Sequence, residues 1–152
     1  KTFLKTLTAG RISIAALSVG TAIGAYNRAL KYANHRKAFN KKIAEFQSVG
    51  FKLADMATQI EAAKQLTLHA AWLKDNQYDF IKEAAMAKLF ASETAMKVAI
   101  EAIQIHGGYG YVREYDVERF FRDAKILEIG EGSSEIQRII ISRKILSDLD
   151  HL

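Results

Sequence analysis

The chain contains no cysteine and no proline among its 152 residues. Without cysteine it can form neither a disulfide framework nor a metal site with thiolate ligands. The absence of proline fits long uninterrupted helices, because proline breaks a helix interior. Long hydrophobic runs are also missing, since the longest uncharged run, residues 12–27, is too short to cross a membrane. We therefore expect no membrane span and no signal peptide, and we expect a cytoplasmic protein.

Positive charge is in modest excess, with a net charge of +5. The densest basic cluster lies within residues 31–42 and includes Arg36, Lys37, Lys41 and Lys42. A nucleic-acid-binding protein typically has a sustained basic face with interleaved aromatic residues, and this chain has neither. We expect no nucleic-acid partner. The local cluster is better suited to an anionic small molecule that carries phosphates.

Apolar residues recur at steps of three and four over most of the chain, which is the spacing of an amphipathic helix. The segments with this pattern are residues 12–33, 46–73, 80–106 and a stretch that begins near residue 134. A short helix or turn fits between Tyr115 and Lys125, and no alternating β-branched pattern indicates a sheet. The sequence predicts an all-α fold, an up-and-down four-helix bundle with one additional short helix, as a single domain over residues 1–152.

A metal centre or a nucleophilic triad is not indicated. Di-iron sites in helix bundles use inward-facing Glu-x-x-His pairs, and no such pair occurs here, since Glu101 and His106 are five residues apart. No serine lies in a nucleophile-elbow pattern. We expect no metal site.

The segment from Ile126 to Arg138 contains a glutamate, Glu131, beside Gly132 in a loop that opens into an apolar helix. Ser134 and Gln137 match a Ser-x-x-Gln capping box for that helix. A carboxylate beside a glycine and the free amides of a helix start is a candidate general base next to an oxyanion site. From the spacing alone, a glutamate that merely favours a helix N-terminus is the other interpretation.

Two further segments are candidates for ligand contact. Gly107-Gly108-Tyr109-Gly110 follows a helix, matches no phosphate-loop spacing, and predicts a helix stop with a sharp turn. Glycine there would also let the backbone approach a ligand closely. Arg36 is either an ordinary surface charge or a residue that binds a pyrophosphate, with Phe39 three residues later packing against a planar ring.

In combination these segments resemble the C-terminal domain of the acyl-CoA dehydrogenase family, with the short-chain (butyryl-type) members most similar. The resemblance covers essentially the whole chain. It rests on motifs that occur in the family's order: Gly10-Arg11, Arg36-Lys37-Ala38-Phe39, Phe46-Gln47, residues 53–56, residues 104–110, residues 122–125 and residues 130–138.

The resemblance implies a role for Glu131 as the catalytic base of an FAD-dependent oxidoreductase. In this family the base removes the α-proton of a short-chain acyl-CoA, the β-carbon passes hydride to the flavin, and the product is a trans-2-enoyl-CoA. The thioester oxygen is held by the backbone amide of the glutamate and a ribityl hydroxyl. Branched-chain members that keep the base on the first helix have glutamate at the position of Gly10, so glycine here favours Glu131.

The resemblance also implies the binding residues and partners. Substrate-contact positions are Arg11, Gly132 and Arg143. Flavin-contact positions are Arg36, Ala38, Phe39, Phe46, Gln47, Gln104, Ile105, Gly107, Gly108, Ser133 and Glu135. Arg36 and the Gln104 segment are expected to reach the FAD of a neighbouring subunit in a dimer-based homotetramer. Electron-transfer flavoprotein is the expected electron acceptor.

Alternatives remain open at this point. The family's N-terminal helical and middle β domains have no counterpart here, so we expect part of a longer flavoenzyme whose isolated C-terminal domain has little activity. A non-catalytic helical scaffold for oligomerisation would use the same bundle. A related flavin-dependent acyl-CoA oxidase would share the same residues. Neither acyl chain length nor the electron acceptor follows from this sequence.

Overall fold

The computed structural model describes residues 2–149, and their side chains from residue 8 onwards. Within that range the chain forms five α-helices: α1 (Thr2–His35), α2 (Gln47–Asp75), α3 (Ile81–His106), α4 (Val117–Ile129) and α5 (Ser134–Leu149). Single 3-10 turns lie at Ile43–Glu45, Gly107–Gly110 and Arg113–Tyr115. The predicted all-α bundle is confirmed. The short helix, α4, extends to Ile129 and is therefore longer than the sequence pattern indicated.

Helix α3 lies at the centre of the bundle and packs against α1, α2, α4 and α5. The contact between α1 and α3 is built largely from alanine, whose small side chain lets two helices approach closely. These buried alanines are Ala22, Ala25, Ala29 and Ala33 of α1 and Ala95, Ala99 and Ala102 of α3. Larger side chains from α2 and α4, such as Met56 and Leu127, fill the flanks of this core. The result is a close-packed frame whose helix ends position the loops.

By length and composition alone, residues 8–35 of α1 could also cross a membrane. In this structure α1 instead packs against α2, α3 and α4 and buries its alanine face. The core helix of a bundle has the same composition as a membrane span, so the packing accounts for the apolar character of α1.

A two-stranded hairpin follows α1, where the sequence indicated no sheet. Strands β1 (Lys37–Ala38) and β2 (Lys41–Lys42) pair antiparallel, with Ala38 opposite Lys41. The two turn residues, Phe39 and Asn40, both have left-handed backbone angles, φ 52° and φ 64°. A two-residue turn with φ positive at both positions has the twist that joins antiparallel strands. Turn geometry, rather than an alternating apolar pattern, makes this hairpin.

The predicted capping box of Ser134 and Gln137 is wrong. Helix α5 already begins at Ser134, and the backbone amide of Gln137 donates to the carbonyl of Ser133 at 3.0 Å. The Ser134 hydroxyl is buried without a hydrogen-bond partner among the described residues. Two serines are adjacent here, and the helix starts one residue earlier than the pattern suggested, so Ser133 occupies the capping position.

The predicted helix stop at Gly107 is confirmed. Gly107 has φ 60° and ψ −137°, a conformation that side chains rarely allow, and α3 ends at the preceding residue. At Gly110 a Cβ atom would lie 2.5 Å from the carbonyl oxygen of Ile103. Both glycines are therefore required by the sharp turn that follows α3.

Candidate active site

The loop between α4 and α5 places Glu131 on a strained backbone. Glu131 has φ 55° and Gly132 has φ 94°, so two successive residues are left-handed. Such a conformation costs a non-glycine residue about 1–3 kcal/mol and persists only where the surroundings hold it. The side chain of Glu131 is exposed at this turn. A strained, exposed carboxylate is a typical candidate for a functional group.

The carboxylate of Glu131 lies directly against Gly10 of α1. A Cβ atom built on Gly10 would lie 3.0 Å from Glu131 Oε2 and 3.3 Å from Cδ. Glycine within a helix costs about 1 kcal/mol relative to alanine. Its presence here leaves room for the carboxylate at the surface of α1, which explains why the Gly10-Arg11 segment and the Glu131 loop belong to one site.

Arg11, the next residue of α1, supplies positive charge beside Glu131. Its Nη1 donates to Thr8 Oγ1 at 3.4 Å, while Nε is buried and has no acceptor among the described residues. Burial lowers the pKa of Arg11, and the Glu131 carboxylate offsets part of that effect. Because a guanidinium stays protonated in proteins, Arg11 is a fixed cation next to the candidate base.

Two fully buried side chains hold this loop from below, Lys88 of α3 and Gln137 of α5. Lys88 Nζ donates to the carbonyl oxygens of Gly132 at 2.8 Å and of Glu128 at 3.1 Å. Gln137 Nε2 donates to the carbonyl oxygens of Gly132 at 2.8 Å and of Glu131 at 3.3 Å. Both side chains therefore meet at the carbonyl of Gly132.

Ser133, Glu135 and Arg143 lie on the α5 side of the loop. A hydrogen bond from the Ser133 hydroxyl lowers the pKa of Glu135, and the backbone amide of Glu135 adds to that effect. Arg143 is exposed and lies nine residues beyond the start of α5, about 14 Å along the helix axis. Ser133 and Glu135 are thus close to Glu131, whereas Arg143 shares a ligand with it only if the ligand is long.

A second cluster forms where α1 and α3 end. An open groove of about 490 Å³ is lined there by residues that include Arg36, Gln104, Gly107 and Gly108. The side chains of Arg36 and Gln104 are exposed, and a Cβ atom at Gly107 or Gly108 would meet open space. An exposed cation beside two exposed glycines suits an anionic, phosphate-bearing ligand. Ile105 also lines the groove, although its side chain is buried and packs in the core.

An aromatic stack supports the groove from within. The ring of His106 stacks on Tyr32 with centroids 4.2 Å apart, and its Nδ1 lies 2.8 Å from the carbonyl of Ala102. Burial lowers the pKa of His106, offset in part by that hydrogen bond. Arg36 lies over the ring of Tyr109, 5.6 Å from its centroid. This stack fixes the groove wall that holds Arg36.

The hairpin presents aromatic surface beside the same groove. Phe39, on its left-handed turn, is 90% exposed and meets the ring of Phe46 edge-on at 6.2 Å. Lys41 Nζ lies 4.1 Å from the centroid of Phe46. Ala38 is half-buried and Gln47 is exposed. A large aromatic side chain that is both on a left-handed turn and exposed to solvent is unusual. A ligand or partner that covers Phe39 would account for it.

The two clusters lie far apart within one chain. Gly10 and His35 are separated by 25 residues of one helix, which is about 38 Å at 1.5 Å per residue. Arg36 follows His35 directly, so it is that far from the Glu131 loop. A single extended dinucleotide does not bridge such a distance. The structure therefore groups Glu131, Gly132, Ser133 and Glu135 with Arg11, and keeps Arg36 and Gln104 separate.

Comparison with known proteins decides the family. The family model described as "Acyl-CoA dehydrogenase, C-terminal domain" matches residues 1–146. The chain belongs to the acyl-CoA dehydrogenase family. It is 60% identical over 146 residues, 96% of its length, to the "Probable acyl-CoA dehydrogenase YngJ" of Bacillus subtilis (strain 168), of which it covers 38%. It is 50% identical over 143 residues, 94% of its length, to the "Caffeyl-CoA reductase-Etf complex subunit CarC" of Acetobacterium woodii, also covering 38%.

The solved structures agree with the fold. The butyryl-CoA dehydrogenase of Megasphaera elsdenii superposes with a TM-score of 0.92 at 47% identity, over 93% of this chain and 37% of that one. This chain thus spans little more than a third of the length of the relatives it matches. Its predicted membership and bundle fold are both confirmed.

The sequence pattern did not indicate a role for Lys88. It predicted a capping role for Gln137, which instead bonds to the loop carbonyls. Lys88 has Ala84, Ala91 and Ser92 as neighbours on one buried face of α3, and a lysine within such a face is a visible signal of a paired, buried cation. Gln137 has no comparable signal, because the same spacing also fits a capping box.

Proposed function

We propose that this chain is the C-terminal domain of an FAD-dependent acyl-CoA dehydrogenase that converts a short-chain acyl-CoA to a trans-2-enoyl-CoA, with Glu131 as the base. The observation that carries the proposal is the Glu131 carboxylate, held on a left-handed turn against Gly10. Because the chain spans 38% of its relatives, the rest of the flavin and acyl-CoA sites belongs to other domains of the enzyme.

In this mechanism Glu131 takes the proton from the α-carbon and becomes a carboxylic acid. FAD, held by the flavin-contact residues, would supply the oxidising power for loss of the β-hydrogen as hydride, so that the Cα–H and Cβ–H bonds break as the double bond forms. Before reaction, the fixed positive charge of Arg11 lies beside the Glu131 carboxylate. The backbone amide of Glu131 is the proposed donor to the thioester oxygen, where negative charge develops. Gly132 and Arg143 would contact the CoA portion.

The flavin contacts divide between two subunits. Ser133 and Glu135 lie beside Glu131 and would contact the FAD of its own active site. The Arg36 and Gln104 cluster, with Ala38, Phe39, Phe46, Gln47, Ile105, Gly107 and Gly108, would contact the FAD of a neighbouring subunit. The separation of about 38 Å along α1 supports this division, and with it a homo-oligomer built from dimers.

Electron-transfer flavoprotein is the proposed acceptor of the electrons. A relative with 50% identity is named as a subunit of a caffeyl-CoA reductase–Etf complex, which supports this partner. That relative's own name gives caffeyl-CoA, whereas the solved butyryl-CoA dehydrogenase supports a short acyl chain for this enzyme. An acyl-CoA oxidase and a non-catalytic scaffold are the alternatives. Cytoplasmic localisation stays a prediction.

An anaerobic visible-absorption titration of the full-length FAD-bound enzyme with butyryl-CoA tests the proposal. Butyryl-CoA is expected to bleach the flavin band of the parent enzyme and not that of Glu131→Gln. Glu118→Gln is the matched control, because Glu118 is a half-buried carboxylate at the other end of α4, and it should bleach as the parent does. Bound FAD that no acyl-CoA bleaches would contradict the proposed reaction, and failure to hold FAD would favour the scaffold.

Subunit sharing has its own test. Arg36→Ala and Glu131→Gln enzymes are each expected to be inactive, whereas a mixed dimer has one site that is free of both changes. Unfolding and co-refolding the two variants should therefore restore part of the dehydrogenase activity. No recovery in verified mixed oligomers would contradict the division of contacts. The isolated 152-residue chain, which lacks the other domains' contacts, is expected to show little activity.

A further inference from the structure

The carbonyl of Gly132 is the meeting point of two buried polar side chains. Lys88 Nζ and Gln137 Nε2 each donate to this oxygen at 2.8 Å. Lys88 and Gln137 both have 0% exposure, so each donor reaches the loop from within the core. A carbonyl that accepts two short hydrogen bonds, one of them from an ammonium, is held in both direction and position.

Lys88 also fixes the other side of the loop. Its second bond, to the carbonyl of Glu128, reaches the last turn of α4. One ammonium group therefore ties the helix that enters the loop to the residue that follows Glu131. Gln137 adds a bond to the carbonyl of Glu131 itself. Together the three backbone oxygens leave the left-handed pair at Glu131 and Gly132 little freedom to relax.

Packing alone does not explain these two residues. Burial disfavours the charge on Lys88 and lowers its pKa, while Gln137 Oε1 is buried without a hydrogen-bond partner among the described residues. Replacement of buried charged groups by hydrophobic side chains of similar volume often leaves a protein as stable as before, or more stable. The polar pair is therefore unfavourable for the core, and what it provides is the fixed geometry of the loop.

We propose that Lys88 and Gln137 are positioning residues for Glu131, which hold the Glu131–Gly132 peptide in its left-handed conformation and so keep the carboxylate against Gly10. The role as positioning residues for a base rests on the proposed function. The restraint on the loop itself does not depend on it.

Hydrogen–deuterium exchange of the loop tests the restraint independently of activity. In the full-length FAD-bound enzyme, amides of residues 130–134 should exchange about tenfold faster in Lys88→Met and in Gln137→Met than in the parent. Lys97→Met is the matched control, since Lys97 is an exposed lysine of the same helix, and its loop should exchange at the parent rate. Unchanged exchange in both folded variants would overturn the inference. Gln137→Met keeps the test decisive if Lys88→Met does not fold.

The rate of flavin reduction tests the consequence for the base. At saturating butyryl-CoA, each variant should reduce its bound FAD about tenfold more slowly than the parent, with the dissociation constant for butyryl-CoA little changed. A residue of merely structural importance would instead lower the thermal midpoint and leave the rate per bound FAD unchanged. Faster loop exchange with a parental reduction rate would overturn the positioning role. If acyl-CoA fails to reduce the parent enzyme, the proposed function falls and loop exchange alone decides the inference.

Discussion

The Glu131 carboxylate lies directly against Gly10 and occupies the space in which a side chain at Gly10 would lie, with 3.0 Å between that Cβ position and Glu131 Oε2. Gly10 lies within α1, and Glu131 lies in the loop before α5. Glycine at this position therefore has a functional rather than a helical reason, because alanine would favour the helix.

Gly10→Ala should separate stability from activity. Replacement of glycine by alanine at an unstrained helix position stabilises a protein by about 0.4–1 kcal/mol. The added methyl group would also displace the flexible end of Glu131, so dehydrogenase activity should fall about tenfold, by misplacement of the base. Thermal unfolding and turnover of the full-length enzyme measure the two effects.

Gly20→Ala is the control for that prediction. Gly20 lies in the same helix, and a Cβ atom there would meet nothing within 4 Å. It should give the same gain in stability with parental activity. Equal activity in Gly10→Ala and Gly20→Ala would show that the contact between Gly10 and Glu131 is unimportant.

Gly24→Ala should destabilise the bundle. Phe120 of α4 packs against α1 at Gly24. A Cβ atom at Gly24 would lie 2.6 Å from Cε1 of Phe120. Overpacking of this kind costs about 1–3 kcal/mol, measurable by urea denaturation. Phe120→Leu in the Gly24→Ala background should return part of the lost stability, because it removes the clash. If Gly24→Ala matches Gly20→Ala in stability, the packing of α4 on α1 differs from that described.

His106 should make the stability of the bundle depend on pH. Burial lowers its folded-state pKa below the usual value of 6.5. Between the folded and unfolded pKa values the unfolded chain binds more protons, so the free energy of unfolding rises with pH in that window. The contribution of neutral His106 to the free energy of unfolding is complete above about pH 6.5, and it is lost as the pH falls through the folded-state pKa. Urea denaturation at a series of pH values measures the slope.

His106→Phe should remove this slope while it keeps a ring against Tyr32. The control is His69→Phe, because His69 is exposed on α2, and it should retain the slope. An unchanged pH dependence in His106→Phe would assign the effect to other groups.

The bundle could be predicted from sequence because apolar periodicity reports directly on helices and their buried faces. The segments around Phe46, Phe80 and Ser134 lie within one residue of the helix starts that the structure shows. The hairpin at Phe39 could not be predicted in this way, since two paired residues on each side make no alternating pattern. The residues before Ser134 show the limit at helix borders, where adjacent serines compete for one capping position.

The candidate site was predicted in part. The resemblance assigns Glu131 and Arg11 to one site, and the structure brings the Glu131 loop and the Gly10-Arg11 segment together. The left-handed conformation of Glu131 is set by tertiary bonds from Lys88 and Gln137, which no local pattern contains. A lysine in an alanine-rich helix looks like a solvated residue unless its neighbours at steps of three and four are recognised as a buried face. The roles of the flavin-contact residues stay predictions.

Transplanting the base tests the central claim most directly. If Glu131 acts from the space beside Gly10, a carboxylate on Gly10 can approach the same point from the other side. The full-length FAD-bound enzyme with Glu131→Gln should not be reduced by butyryl-CoA, and adding Gly10→Glu to that variant should restore anaerobic flavin bleaching at a measurable, lower rate. Failure of the double variant to bleach, despite parental FAD content and butyryl-CoA binding, would contradict the placement of the base. Bleaching by the Glu131→Gln enzyme alone would contradict the role of Glu131.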